Sequence, residues 1–289
     1  MRFFLTLWLL QCCCARLFAQ QDVPSNTPSE SRTLILVAER KDGSAATLEP
    51  SDLEIKEDGK DVAIASIRKL ARQPIHYCVL FDVSKSEAGR FHIQQNQATA
   101  LLAQVIQPGI DRGRMVFFNQ TARATNETSQ PHDLASLIPQ VTPIGTTALY
   151  DSMTACAEQM DKTAGPDNSA LPLMFVFSDG EDNSSRITRE QTATEVLKSR
   201  SRIYAFWSGQ SGGRGNATLS WFSKLTGGRV LDAASDKEIA SAMRRVNDDL
   251  AQLNEVVYSA QSQHTDAEHP IQVKARDKHF AVLAPELTH

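Results

Sequence analysis

Four short apolar runs constrain what this chain can fold into: Tyr77–Phe81, Met115–Phe118, Leu173–Phe177 and Ile203–Trp207. Each is nearly continuous rather than alternating, which is the pattern of a strand buried on both faces. Helical stretches lie between and after them. In 91–107, Ala98, Leu101, Leu102 and Val105 share one helical face, and Pro108-Gly109 ends the pattern. Helices are also expected over 147–162, 187–200 and 236–254. The last carries Ile239, Met243, Val246, Leu250 and Leu253 at spacings of four and three, an amphipathic face suited to covering a sheet. Strands alternating with helices predict an α/β domain over 74–252, with a doubly wound, mostly parallel sheet flanked by helices.

The flanks read differently. In 32–73, Leu34-Ile35-Leu36-Val37 is a strand, Leu53 and Ile55 alternate with polar neighbours, and Asp58-Gly59 is a hairpin turn. Val62, Ile64 and Ile67 continue the alternation beyond that turn. In 253–289, strands are expected at Glu255–Ser259, around Ile271, Val273 and Ala275, and at Phe280–Leu283. Neither flank carries enough apolar surface for a core of its own. The expectation is one small β module built from N- and C-terminal segments, with the α/β domain inserted between its halves.

The chain begins with an address. In residues 1–20, Arg2 precedes an apolar run, and a small residue, Ala19, ends the segment, as in a secretory signal peptide. The run is too short to span a bilayer, which takes about 20 residues. Gln11 before Cys12 fits a lipid-attachment site poorly. Residues 21–31 are a polar, proline-containing lead-in, and no other segment reads as an integral membrane span. The mature protein is therefore expected to be secreted, periplasmic or on the cell surface. Cys78 and Cys156 then remain; both sit in apolar contexts and read as buried free thiols. With 30 Lys and Arg against 34 Asp and Glu, no basic surplus exists to neutralise phosphates, and nucleic acid is not an expected partner.

The chemistry lies at the strand ends. Asp82-Val83-Ser84-Lys85-Ser86 follows the first run, and Ser178-Asp179-Gly180-Glu181-Asp182 follows Leu173–Phe177. Gly145-Thr146-Thr147 precedes a helix. In an open α/β sheet such loops gather at one edge. They would bring together two carboxylates and three hydroxyls, an all-oxygen set suited to a hard cation such as Mg²⁺ (or Mn²⁺). The set lacks the His and Cys that zinc and copper sites use.

These motifs resemble the three loops of the metal-ion-dependent adhesion site of von Willebrand factor A domains. DVSKS matches the Asp-x-Ser-x-Ser pattern through Asp82, Ser84 and Ser86; GTTALYD supplies Thr147, and FVFSDGED supplies Asp179. The flanking segments are similar to those of bacterial secreted members of this group, first catalogued in Acidobacteria. The resemblance implies that Ser84 and Ser86 coordinate the ion directly and Thr147 directly or through water. Asp82 and Asp179 would act mostly through water. It also implies an open coordination position that takes a Glu or Asp from a protein partner. Lys85, Gly145, Thr146, Gly180, Glu181 and Arg214 are candidates for the rim, and the surrounding loops are 85–90, 119–132, 143–146 and 208–217. Asp151 reads as a solvated helix carboxylate, with support of the second loop as its alternative role.

The leading expectation is a non-enzymatic, metal-dependent protein-binding module outside the cytoplasm. A structural envelope scaffold with an idle site is one alternative. A Mg²⁺-dependent hydrolase is another, but no His, Lys or Glu base is tied by motif to the site.

Overall fold

A computed structural model of the chain describes residues 31–42, 44, 47–163, 170–207, 214–260 and 269–288. The expected signal peptide, nearly all of the lead-in and residues 208–213 lie outside the described residues. In chain order the elements begin with β1 (Ser31–Arg40), β2 (Leu53–Glu57), β3 (Lys60–Asp61), β4 (Ile64–Lys69), β5 (Ile75–Asp82), α1 (Phe91–Gln104), β6 (Arg112–Phe118) and β7 (Ala122–Ala124). They continue with α2 (Pro131–Ala135), α3 (Leu149–Thr163), β8 (Leu171–Phe177), α4 (Arg189–Lys198), β9 (Arg202–Trp207) and α5 (Arg214–Leu225). The chain ends with β10 (Arg229–Asp232), α6 (Asp236–Ala251), β11 (Leu253–Ser259), β12 (His269–Ala275), β13 (Phe280–Leu283) and β14 (Leu287–Thr288).

The apolar runs form the centre of a six-stranded sheet in the order β10-β9-β8-β5-β6-β7, parallel except for β7. Both faces are covered, which explains why the runs do not alternate. Tyr77, Val79 and Phe81 of β5 pack toward α1 and α6. Cys78 and Leu80 pack toward α3, α4 and α5. The four predicted helices are α1, α3, α4 and α6. α6 stops at Ala251, and Leu253 opens β11 instead. Sequence reading missed α5 and β10. Gly215 and Asn216 are poor helix formers, and they mask the start of α5.

The two flanks join in two four-stranded antiparallel sheets, β13-β1-β11-β4 and β14-β12-β2-β3. Leu34, Leu36 and Ala38 of β1 face a core shared with Leu53, Ile55, Val256, Tyr258 and Ile271. Val37 and Leu253 face the α/β core. The Asp58-Gly59 turn is present, with φ of 50° and 76°. Its second strand lasts only two residues, however, and Ile64 and Ile67 lie in β4, paired with β11 in the other sheet.

The cysteines overturn one expectation. Cys78 in β5 and Cys156 in α3 are joined in a disulfide, their Cα atoms 6.4 Å apart, rather than standing as free thiols. α3 lies across the face of β5 to which Cys78 points, so two thiols 78 residues apart in sequence meet in one apolar layer.

Candidate metal centre

The strand order itself creates a crevice. From β5 the chain passes through α1 to β6 on one side, then crosses back to β8 on the other. α1 packs on one face of the sheet and α4, after β8, on the opposite face. The chain therefore diverges at the carboxyl ends of β5 and β8, the place where open α/β sheets bind ligands.

Asp82, the last residue of β5, is fully buried. Its Oδ1 accepts the Ser84 N–H at 2.8 Å and its Oδ2 accepts the Ser178 hydroxyl at 2.7 Å. The hydroxyls of Ser84 and Ser86 lie 2.9 Å apart, Ser84 buried and Ser86 exposed. The second loop is tied to the first by Ile144 N–H to Val83 O, 2.7 Å, and Lys85 N–H to Gly145 O, 3.0 Å. Thr147 is buried, and its N–H donates to Asn183 Oδ1 at 2.9 Å. Its carbonyl accepts the N–H groups of Asn183 and Ser184, both at 3.0 Å. Backbone bonds thus hold the Thr147 loop between the other two.

Asp179 follows β8 and is 7% exposed. Its Oδ1 accepts the Glu181 N–H at 3.1 Å. The next residue, Gly180, has φ +76°, and a Cβ there would lie 2.2 Å from the Gly215 carbonyl oxygen. A Cβ on Gly215 would lie 1.8 Å from the Asp179 carbonyl oxygen. Two glycines therefore let the start of α5 abut the Asp179 loop. Arg214 opens that helix, but its side chain lies outside the described residues. Of the other rim candidates, Lys85, Thr146 and Glu181 are exposed, Gly145 is half-buried and Gly180 is buried. Asp151 is not a solvated carboxylate. Its Oδ1 accepts the N–H groups of Arg186 at 2.9 Å and Ile187 at 3.2 Å, so it braces the segment after the third loop. The start of α3 runs beside that segment, which puts the carboxylate within reach of its backbone.

Sequence reading missed Glu87. It sits in the short 3-10 turn Lys85–Gly89, one position beyond the serine pair, and is fully buried. Its Oε1 accepts the Asp179 N–H at 2.6 Å. Among the described residues its Oε2 has no hydrogen-bond partner. An acidic residue in a loop reads as solvated by default, so only the fold reveals its direction.

One oxygen from each of Asp82, Glu87 and Asp179 lies within 4.8 Å of the other two. Among the described residues, these carboxylates make one ion pair, between Asp179 Oδ2 and Arg90 Nη2 at 3.8 Å. Burial raises Asp82 to about 6; bonds from Ser84 and Ser178 oppose the shift, and the charge of Asp179 adds to it. Burial, then the charges of Asp82 and Asp179, push Glu87 up to about 8. Three buried acids with one distant guanidinium form a site short of positive charge. The cluster offers oxygen only, which fits a hard divalent cation. Asp82, Glu87 and Asp179 are the residues that can hold it, with the hydroxyls of Ser84, Ser86 and Thr147 on the adjoining loops. Such an ion supplies a Lewis-acidic docking point for an oxygen ligand.

The chain has the von Willebrand factor A fold. A von Willebrand factor type A protein from Catenulispora acidiphila superposes with a TM-score of 0.50 at 11% identity, over 88% of this chain and 73% of that one. Weaker likeness extends to an aerotolerance-related membrane protein from Bacteroides fragilis, at TM-score 0.47, 15% identity, and 61% and 98% coverage. It extends also to proximal thread matrix protein 1 from the mussel byssus with a zinc-occupied MIDAS motif, at TM-score 0.48, 17% identity, and 66% and 48% coverage. No protein-family model matches the sequence, and no curated protein matches it.

Proposed function

We propose that this chain is an extracytoplasmic, non-enzymatic protein-binding module. Its divalent cation, Mg²⁺ or Mn²⁺, sits at the carboxyl end of the central sheet and takes a Glu or Asp from a protein partner. The observation that carries this reading is the deficit of positive charge among Asp82, Glu87 and Asp179, beside the exposed hydroxyl of Ser86. Burying carboxylates without counter-charge is costly, and a bound cation removes that cost. The exposed side of the site leaves room for a ligand from outside. A binding role, rather than catalysis, is supported by the hydrogen bonding: among the described residues no His or Lys is bonded to the hydroxyls of Ser84 or Ser86, which bond each other. The leader-like residues 1–20 and the buried Cys78–Cys156 disulfide both suit an oxidising compartment outside the cytoplasm. Among the described residues, no helix is long and apolar enough to cross a membrane.

The test is calorimetric titration of Mn²⁺ and Mg²⁺ into the chain lacking residues 1–20, with Asp82→Ala beside it. Binding is expected in the first and not in the second. Arrays of Glu- and Asp-bearing peptides, probed with and without chelator, then test the partner chemistry. Equal Mn²⁺ affinity in the Asp82→Ala chain, or peptide capture unaffected by chelator, overturns the reading.

A further inference from the structure

The geometry points to Glu87 as a direct carboxylate ligand of the cation, a third acid beside Asp82 and Asp179. This inference rests on the metal reading above and deepens it. Glu87 is fully buried, and it offers an oxygen within 4.8 Å of one from each of the other two acids. A purely structural role does not account for it. Accepting the Asp179 N–H takes one oxygen, and a Gln would do that without placing a third ionisable acid in a buried acidic cluster. Glu87 instead keeps a second carboxylate oxygen, buried and without a hydrogen-bond partner among the described residues. A cation is the partner that satisfies both that oxygen and the like-charge crowding.

With the cation bound and all three carboxylates ionised, they and Arg90 sum to −2, so a divalent ion brings the loaded site to zero. Without Glu87 the same sum is +1, and an acidic ligand from outside would be needed to neutralise it. Glu87 therefore lets the chain hold its cation before any partner arrives. Cation uptake and partner capture become separate events.

Mn²⁺ titrations of the wild-type, Glu87→Gln and Glu87→Met chains, with no partner and no added carboxylate, test this. The wild-type chain is expected to bind Mn²⁺ alone. Glu87→Gln keeps an acceptor for the Asp179 N–H but loses the charge, and is expected to bind about tenfold more weakly or worse. Its metal-free thermal midpoint should lie above wild type at alkaline pH, where the wild-type Glu87 is charged and the variant carries no buried like charge. A group that only positions Asp179 would move neither quantity in this variant. Glu87→Met is expected to lose affinity too, and serves if the Gln variant does not fold. Affinity of Glu87→Gln within twofold of wild type overturns the inference and leaves the metal site standing. Wild-type uptake of Mn²⁺ only after acetate is added also overturns it. No Mn²⁺ uptake by wild type under either condition overturns both this inference and the metal reading.

Discussion

Two buried acidic clusters sit at different places in this molecule, and the fold treats them differently. Where β1 meets α6 and β10, Glu39 and Asp249 face Arg229 and Arg245. Arg229 Nε lies 2.7 Å from Asp249 Oδ2, its Nη2 lies 3.0 Å from Glu39 Oε1, and Arg245 reaches both acids. Two acids meet two guanidiniums. Burial pushes Glu39 up, but Arg245 and Arg229 outweigh it and hold its carboxyl below the ordinary range. At the ends of β5 and β8, three acids face one guanidinium at 3.8 Å, and two of them are pushed up instead. The same chemistry is completed within the chain in one place and left incomplete in the other. The first cluster is a joint between the small sheets and the α/β domain; the second is a candidate cation site.

The largest expected effect breaks the joint. Arg229→Met leaves the fully buried Asp249 with Arg245, at 3.5 Å, as its one remaining ion-pair partner among the described residues. Uncompensated burial of this kind costs about 3–5 kcal/mol. Urea unfolding should show that loss, while the Mn²⁺ affinity of the folded chain stays at the wild-type value. A matching fall in Mn²⁺ affinity would mean the two clusters are energetically one.

The site end also carries a covalent brace. The Cys78–Cys156 bond joins the strand that ends in Asp82 to the helix that begins just after Thr147. Replacing both cysteines by Ala frees a long loop in the unfolded chain and should cost about 2–4 kcal/mol in the same urea experiment. An unchanged midpoint would show that packing in this layer alone holds β5 and α3 together.

The part legible in sequence was the part built from residues that repeat with a period or stand at a strand end. Uninterrupted apolar runs gave the central strands, and the Asp82, Ser84, Ser86, Thr147 and Asp179 pattern gave the loops that converge. Four features were not legible, each for a reason of space rather than composition. Glu87 is an unremarkable acid until the turn after Ser86 points it inward. The disulfide needs α3 laid across β5, which no local pattern reports. The start of α5 depends on two glycines, Gly180 and Gly215, whose backbones touch only in the folded chain. β4 leaves the expected hairpin and pairs with β11, which is far away in sequence.

The comparison also predicts opposite responses to pH. Asp82 and Glu87 have folded values of about 6 and about 8, above the unfolded range near 4. Between those limits the folded chain binds more protons than the unfolded one, so stability present at low pH is lost as pH rises through 6 and then 8. Glu39, held low, contributes with the other sign: its stabilisation is present above the unfolded value and is lost as pH falls below it. Thermal midpoints measured with chelator from pH 5 to 9 should therefore decline, and saturating Mn²⁺ should flatten the decline. A flat profile in chelator would mean that some cation of the chain already compensates the site, and the contrast between the clusters would disappear.

The smallest expected effect concerns that single guanidinium. Arg90 stands 3.8 Å from Asp179, about a third exposed, and competes with an incoming cation for the same carboxylate. A partly solvated charge at this distance is worth roughly 0.5–1 kcal/mol, so Arg90→Gln should tighten Mn²⁺ binding about threefold. The sign separates the two clusters better than the size does. Removing an arginine from the joint destabilises the fold, because there the arginine is the intended counter-ion. Removing one from the site should improve cation binding, because there it only partly substitutes for the ion. Weaker Mn²⁺ binding by Arg90→Gln would recast Arg90 as a structural partner of Asp179 and make the site resemble the joint.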